Sequence, residues 1–361
     1  MNSSVSTKRL LPPRRPVIGV FLATLVLSLA TRAEPSINAN VFTHFEAYKA
    51  ADESNVDDLR WGESALFVTG RLTDRLSFLT EISFEMPKYR ERPVSVERLR
   101  LRYDLNRDNW LILGKMHTPV NYWNDNFHHG RLFFPTINRP LAFKRFIPIH
   151  EAGLRFGGSH LFGTNIGYDF VLGTGQSTGD DLFAEGVKSY TSTLSWTPSA
   201  DFKMMVSYYR DTILNHADSE DHGSHAGHGV TMIMPEGMPD EMDIDYELFS
   251  YSFHWRTDDF TWLTEISANR TDSGSLNEAA YQYLGYHYNE DFTIYGVFDL
   301  VNVEKDEMHF ASGRESFYGI GAEYAFGVNA TLKLEIRRHD DHTGGRDFYS
   351  NEIQAQLAFG F

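Results

Sequence analysis

The sequence predicts an all-β fold, a transmembrane antiparallel β-barrel of about sixteen strands, and three observations predict it. Segments of strand length recur along the chain, alternating apolar and polar residues with a period of two. Short turns and longer loops take turns between those segments. The last stretch, Asp347 to Phe361, places Phe361, Phe359, Leu357, Ala355 and Ile353 on one face and Gly360, Ala358, Gln356, Gln354 and Glu352 on the other. A soluble sandwich has no reason to sort its loops by length, whereas a membrane barrel does so between its two rims.

The chain begins with a basic stretch, Met1 to Pro16, which carries Lys8, Arg9, Arg14 and Arg15 and no acid. Val17 to Ala30 is then an apolar run, VIGVFLATLVLSLA. It is shorter than the ~20 residues that a spanning helix needs. The pattern reads as a secretory signal peptide over 1–33, with cleavage after Ala33 favoured over Ala30. A retained membrane anchor is the other reading. Removing those residues takes away five of the 33 basic side chains and none of the 49 acidic ones, which leaves a mature net charge of −21. So acidic a protein is a poor partner for nucleic acid. Cysteine is absent, which excludes disulfides, thiolate chemistry and cysteine-based zinc sites.

The mature part, 34–361, then divides into sixteen segments: 37–49, 60–72, 75–86, 93–104, 108–117, 149–159, 163–173, 186–197, 201–211, 244–256, 258–270, 277–288, 290–303, 314–326, 328–339 and 347–361. Spanning strands need ~9–11 residues each, and bacterial single-chain barrels take an even number. Each even-numbered segment before the last ends in a short turn: LTD, LNRD, HLFG, PSA, TDD, NE and GVN. In the fifteenth segment Leu332, Leu334 and Ile336 alternate with Lys333, Glu335 and Arg337. In the eleventh, Phe260, Trp262 and Ile266 oppose Thr261, Glu265, Ser267 and Asn269. Apolar side chains suit lipid, and a charged interior cannot be dry unless its charges are paired. The inside is therefore expected to be wet.

A chain whose final strand ends on Phe361, with Phe359 and Leu357 on the same face, resembles the outer-membrane porin-like β-barrels of Gram-negative bacteria. The resemblance covers the whole mature chain as architecture and implies several partners. The terminal strand would be read by the barrel-assembly machinery, the outer face would meet lipid and lipopolysaccharide, and three copies would form a homotrimer. The function implied is passive diffusion of small hydrophilic solutes or ions, with no cofactor required.

In such porins the third long loop folds inward and narrows the pore. Here that loop is Thr118 to Pro148, rich in aromatic residues that need somewhere to pack. Folded inward, it would present Asn124, Asp125, His128, His129 and Arg131 to the passage; the other reading is a loop that caps the mouth or holds a neighbouring subunit. The fourth segment adds Arg98, Arg100 and Arg102 on one face, against Leu99, Leu101 and Tyr103. Each arginine would cost ~2–4 kcal/mol facing lipid near the midplane, so the lumen is favoured. There they form either a basic ladder or ion pairs with nearby carboxylates. The net charge of the mature chain suggests a mild preference for cations, which the arginine row would oppose locally.

The loop from Thr212 to Asp243 gathers His216, His222, His225 and His228 among Asp and Gly. Such a set suits Zn, Cu or Ni, although no ordered motif is present and a solvated spacer is the plain reading. Acidic runs at 57–58, 180–181 and 304–307 either bridge divalent cations or simply keep the surface hydrated. Two other classes compete: a surface receptor or adhesin with a plugged barrel, and a rim hydrolase built from Asp340, Asp341 and His342. No plug-sized stretch precedes the first segment, and no GxSxG element is present.

Overall fold

The computed structural model describes residues 36–50, 58–85, 94–127, 130–176, 186–213, 243–307 and 309–361. Sixteen strands form one closed barrel in which every strand pairs antiparallel with its neighbours in sequence. The first eight are β1 (Ser36–Ala50), β2 (Asp58–Arg71), β3 (Leu76–Phe84), β4 (Val94–Asp104), β5 (Asn109–His117), β6 (His150–Gly158), β7 (Ile166–Gly173) and β8 (Ser189–Ser199). The second eight are β9 (Phe202–Ile213), β10 (Ile244–Arg256), β11 (Phe260–Thr271), β12 (Leu276–His287), β13 (Phe292–Val303), β14 (Gly313–Ala325), β15 (Ala330–Asp341) and β16 (Phe348–Gly360). Closure runs through β1 and β16, where Phe42 pairs with Gly360 and Ala50 with Glu352. Phe361 continues the ladder, exchanging backbone hydrogen bonds with Val41 at 2.8 and 3.0 Å. A barrel closed in this way leaves no unpaired strand edge.

Alternation sets the two faces. Leu334, Ile336 and Ile320 are exposed on the outside, while Lys333 and Glu335 are buried within. Leu357 and Phe361 are exposed on the outer surface beside the closure. A β-bulge between β3 and β4 pairs Glu81 with Arg98 and Ile82 with Val96, which leaves Glu97 as the extra residue. Val96 and Leu99 are both exposed outward, so Glu97 and Arg98 turn inward side by side. Beyond the bulge the row continues inward through Arg100 and Arg102, opposite the outward Leu99 and Leu101.

The interior is not wet throughout. Val120, Trp123, Phe134, Leu141, Phe143 and Phe146 form an apolar core inside the barrel with Tyr209, Tyr246, Tyr281, Tyr283, Tyr295 and Val301 of β9–β13. The core exists because one loop supplies a greasy surface for those inward tyrosines to cover.

Candidate functional site

That loop leaves β5 at His117, crosses the lumen and rejoins the wall at His150. Asn121 caps a short helix α1 (Tyr122–Asn126), its side chain accepting from the Asn124 amide at 2.8 Å. Gly130, at φ 80°, then turns the chain into a 3-10 turn over Arg131–Phe133, a backbone conformation that glycine adopts without strain. Trp123 is fully buried, with Phe127, Phe134 and Tyr281 each edge-on at 5.3 Å.

An irregular loop inside a barrel has backbone N–H groups with no ladder to join, and these need acceptors. Inward carboxylates on the far wall supply them. Glu265 Oε1 accepts from Trp123 N at 2.7 Å, Asp299 Oδ2 from Leu141 N at 2.6 Å, and Glu335 Oε1 from Ile137 N at 2.7 Å. Ser252 accepts from Tyr122 N at 3.0 Å. Donors on the wall serve the loop carbonyls in turn: Lys333 Nζ donates to Arg131 O at 2.7 Å, and Tyr246 OH to Phe146 O at 2.6 Å. Arg145 donates to Glu315 at 2.9 Å, and Asn138 to Gln354 at 2.6 Å. These contacts span β10 to β16; on the remaining wall Phe133 meets Phe42 of β1 edge-on at 5.4 Å, and Thr193 of β8 donates to Pro119 O.

Its other edge meets basic side chains. Asp125 lies 3.7 Å from Arg155 of β6 and 3.6 Å from Lys203 of β9. It is enclosed by protein on most sides, yet solvent still reaches 27% of its side chain. Burial alone would raise this carboxyl; Arg155, then Lys203 and Arg100, outweigh it and hold Asp125 below the ordinary carboxylate range. Arg155 also donates to Asp169 of β7 at 2.6 Å. Tyr122 stacks on His254 at 4.5 Å, and Lys203 reaches over its ring. Nearer β1, burial brings the Arg139 guanidinium down to about 10, with Glu63, Glu97 and Glu81 drawing it back up.

The structure sorts the expected site residues. Arg98, Arg100 and Arg102 point inward, and Arg100 lies near enough to Asp125 for the two charges to attract. Arg98 pairs with Glu81 of β3, and Arg102 with Asp104 of its own strand at 2.8 Å. Asn124 does not line a passage: it is fully buried, and its amide donates to the carbonyls of Thr118 and Ile149 at 2.8 and 3.1 Å. Arg131 stitches the loop to itself through Ile137 O at 2.7 Å and packs over Phe134. His128 and His129 lie outside the described residues, as do His216, His222, His225, His228 and the 1–33 segment. Sequence reading missed Arg155, Asp169 and Lys203, each of which is a single polar residue in ordinary alternation.

Glu307, expected on an exposed acidic run, is instead buried, accepting from Thr271 and Asn277 at 2.8 Å. One group among the described residues has a metal-like donor set, Glu315, His339 and Asp341, with ligand atoms within 4.8 Å of one another. Arginines already neutralise both carboxylates: Arg145 sits on Glu315 at 2.9 Å and Arg346 on Asp341 at 3.4 Å. Asp340, Asp341 and His342 do not converge. Asp340 is held by Arg338, Asp341 by Thr343, and His342 pairs with Asp347, because consecutive strand residues face opposite sides.

No protein-family model matches the chain, and no curated protein matches it. Solved structures do. OmpT of Vibrio cholerae in a trimer form superposes with a TM-score of 0.60 at 12% identity, over 91% of this chain and 100% of that one. An anion-selective porin from Comamonas acidovorans gives 0.60 at 10%, over 91% and 100%. The outer membrane channel DcaP of Acinetobacter baumannii gives 0.59 at 11%, over 92% and 99%. At these identities the likeness is one of fold. By its fold the chain is a porin-type barrel, closed, sixteen-stranded and antiparallel.

Proposed function

We propose that the chain is a channel of the Gram-negative outer membrane through which small hydrophilic solutes or ions diffuse. The observation that carries this reading is the difference between the loop's two edges, one apolar and packed, the other charged. The 118–148 loop packs its apolar side on β9–β13 and turns Asp125 toward Arg100, Arg155 and Lys203. A surface receptor would gain nothing from a charged strip between its plug and its wall. A solute passage would use it to screen what enters. The outward Leu334, Ile336 and Ile320 suit lipid, and lipopolysaccharide would meet the long-loop rim. Removal of 1–33 on export, reading of Leu357, Phe359 and Phe361 by the assembly machinery, and a homotrimer complete the proposal. The trimer form of the similar OmpT favours the last of these. A rim hydrolase is disfavoured by the divergence of Asp340, Asp341 and His342.

Planar-bilayer recording of the reconstituted protein tests the channel. Stepwise conductance is expected, with a reversal potential in asymmetric KCl that reports anion preference, because Arg100, Arg155 and Lys203 outnumber Asp125 and Asp169 in the strip. A folded, heat-modifiable barrel that passes no current would defeat the channel reading.

Metal capture by His216, His222, His225 and His228 is a separate proposal. Only neutral imidazole donates a lone pair, and free histidine titrates near ~6.5. Affinity for Zn²⁺ should therefore fall steeply from about pH 7.5 to 5.5. Calorimetric titration beside a variant with all four changed to Asn checks it. Equal affinities would make the loop a spacer.

A further inference from the structure

We propose that Arg71, Arg100 and Arg102, with Asn38, Thr69 and Ser77, form a binding pocket for a small oxyanion on the inner wall of the barrel. The proposal rests on the channel reading for its biological use and names the class of solute that the channel would favour.

The register makes the pocket. Paired residues of antiparallel strands share a face, so two rows of side chains point inward together near the short-turn rim. One row runs from Asn38 through Thr69 and Leu79 to Arg100; the next holds Arg71, Ser77 and Arg102. Together they line a hollow of about 300 Å³. Neighbouring strands lie ~4.8 Å apart and alternate residues ~6.6 Å apart, so the three arginine stems stand about 7–12 Å from one another. Arg102 lies over the Trp110 ring at 4.5 Å and holds Asp104, so it edges the hollow while Arg71 and Arg100 are the two positioned to reach one small anion.

The charges are arranged for a guest. Among the described residues neither Arg71 nor Arg100 has a carboxylate within ion-pair distance. Arg102 alone is partnered, by Asp104. Arg100 stands in the field of Arg98, Arg155 and Arg102, with Asp125 the carboxylate nearest in effect. Like charges crowded on one wall raise the free energy of the empty pocket, and a doubly charged oxyanion relieves that repulsion. Guanidinium forks match the paired oxygens of phosphate or carboxylate, and the amide of Asn38 and hydroxyls of Thr69 and Ser77 add donors. Chloride has neither the second charge nor the spread of oxygens, so the pocket prefers phosphate or a small dicarboxylate to it. The inward face excludes a lipid headgroup as the ligand.

The test uses the full mature barrel in detergent, titrated calorimetrically with inorganic phosphate, and with succinate in a second arm, at constant chloride. A saturable isotherm is expected that weakens as salt rises and loses at least tenfold in affinity in R71Q/R100Q. R71K/R100K keeps the charge without the fork and should retain part of the affinity. It also serves if the glutamine variant folds poorly, which a heat-modifiable gel shift reveals. No saturable binding of either anion by the wild type, or equal binding by R71Q/R100Q, would overturn the pocket. Bilayer recording separates the two ideas. Phosphate binding without any conductance defeats the channel reading and leaves the pocket standing; chloride conductance indifferent to phosphate, with no isotherm, does the reverse.

Discussion

Replacing Glu265, Asp299 and Glu335 together by alanine is expected to release the 118–148 loop and raise single-channel conductance several-fold. Each carboxylate accepts a backbone N–H from a different point of the loop, at Trp123, Leu141 and Ile137. Removing one acceptor leaves a buried N–H unsatisfied, at a cost of about 1–3 kcal/mol. Three such losses act on one segment and will couple rather than add independently. The sixteen-strand ladder does not depend on them, so the heat-modifiable gel shift should survive. The isosteric variant E265Q/D299N/E335Q keeps an acceptor oxygen at every position and should stay close to wild-type conductance. A triple alanine variant with unchanged conductance and unchanged noise would mean that the loop holds its place without these anchors.

The same three residues show where sequence reading ends. Their inward orientation was legible, since Glu265 opposes Ile266 and Glu335 opposes Leu334 and Ile336 in strict alternation. Sequence cannot say whether an inward carboxylate meets water or a loop amide, because the partner is remote. Ile137 and Glu335 are 198 positions apart. The inference that the lumen is wet therefore fails over β9–β13, where Trp123 and Phe143 meet inward tyrosines.

Strand positions were legible because the period of two is a local property. The tenth segment, 244–256, coincides with β10, and the thirteenth begins two residues before β13. The seventh begins three residues early, at 163 rather than Ile166, because Leu161–Gly163 coils into a 3-10 turn with Phe162 at φ 54°. Nothing in a phenylalanine announces a left-handed backbone. The eighth starts three residues early for a similar reason: Val187 extends the alternating pattern without joining the ladder. Asn124 was misplaced because a polar residue among aromatics has two physical explanations. It either faces water or satisfies the backbone around it, and here it does the second.

Arg155 carries the last and sharpest expectation: R155Q should destabilise the barrel, shift ion preference toward cations and make the loop sensitive to mild acid. Arg155 is buried, donates to Asp169 at 2.6 Å and stands 3.7 Å from Asp125. Breaking a buried ion pair from one side costs about 3–5 kcal/mol, because the abandoned charge stays where water is scarce. Glutamine also removes one positive charge from the strip that faces Asp125, so the reversal potential in asymmetric KCl should move in the cationic direction; R155K should restore most of it. The pH response follows from sign. Burial raises the Asp125 carboxyl, and Arg155 is the first of the charges that overcome this and hold it below its ordinary value. The stability it contributes is therefore fully present above the unfolded value, ~3.9, and is lost only as pH falls through the lower folded one. Asp125 should thus stay ionised in the wild type and contribute no change in conductance from pH 7 to 5. Without Arg155 the carboxyl rises, protonation begins nearer neutrality, and the α1 end of the loop loses its hold on Lys203 within that range. Recording both proteins at pH 7, 6 and 5 decides the matter. A variant as flat as the wild type would show that Lys203 and Arg100 suffice to keep Asp125 ionised and the loop in place.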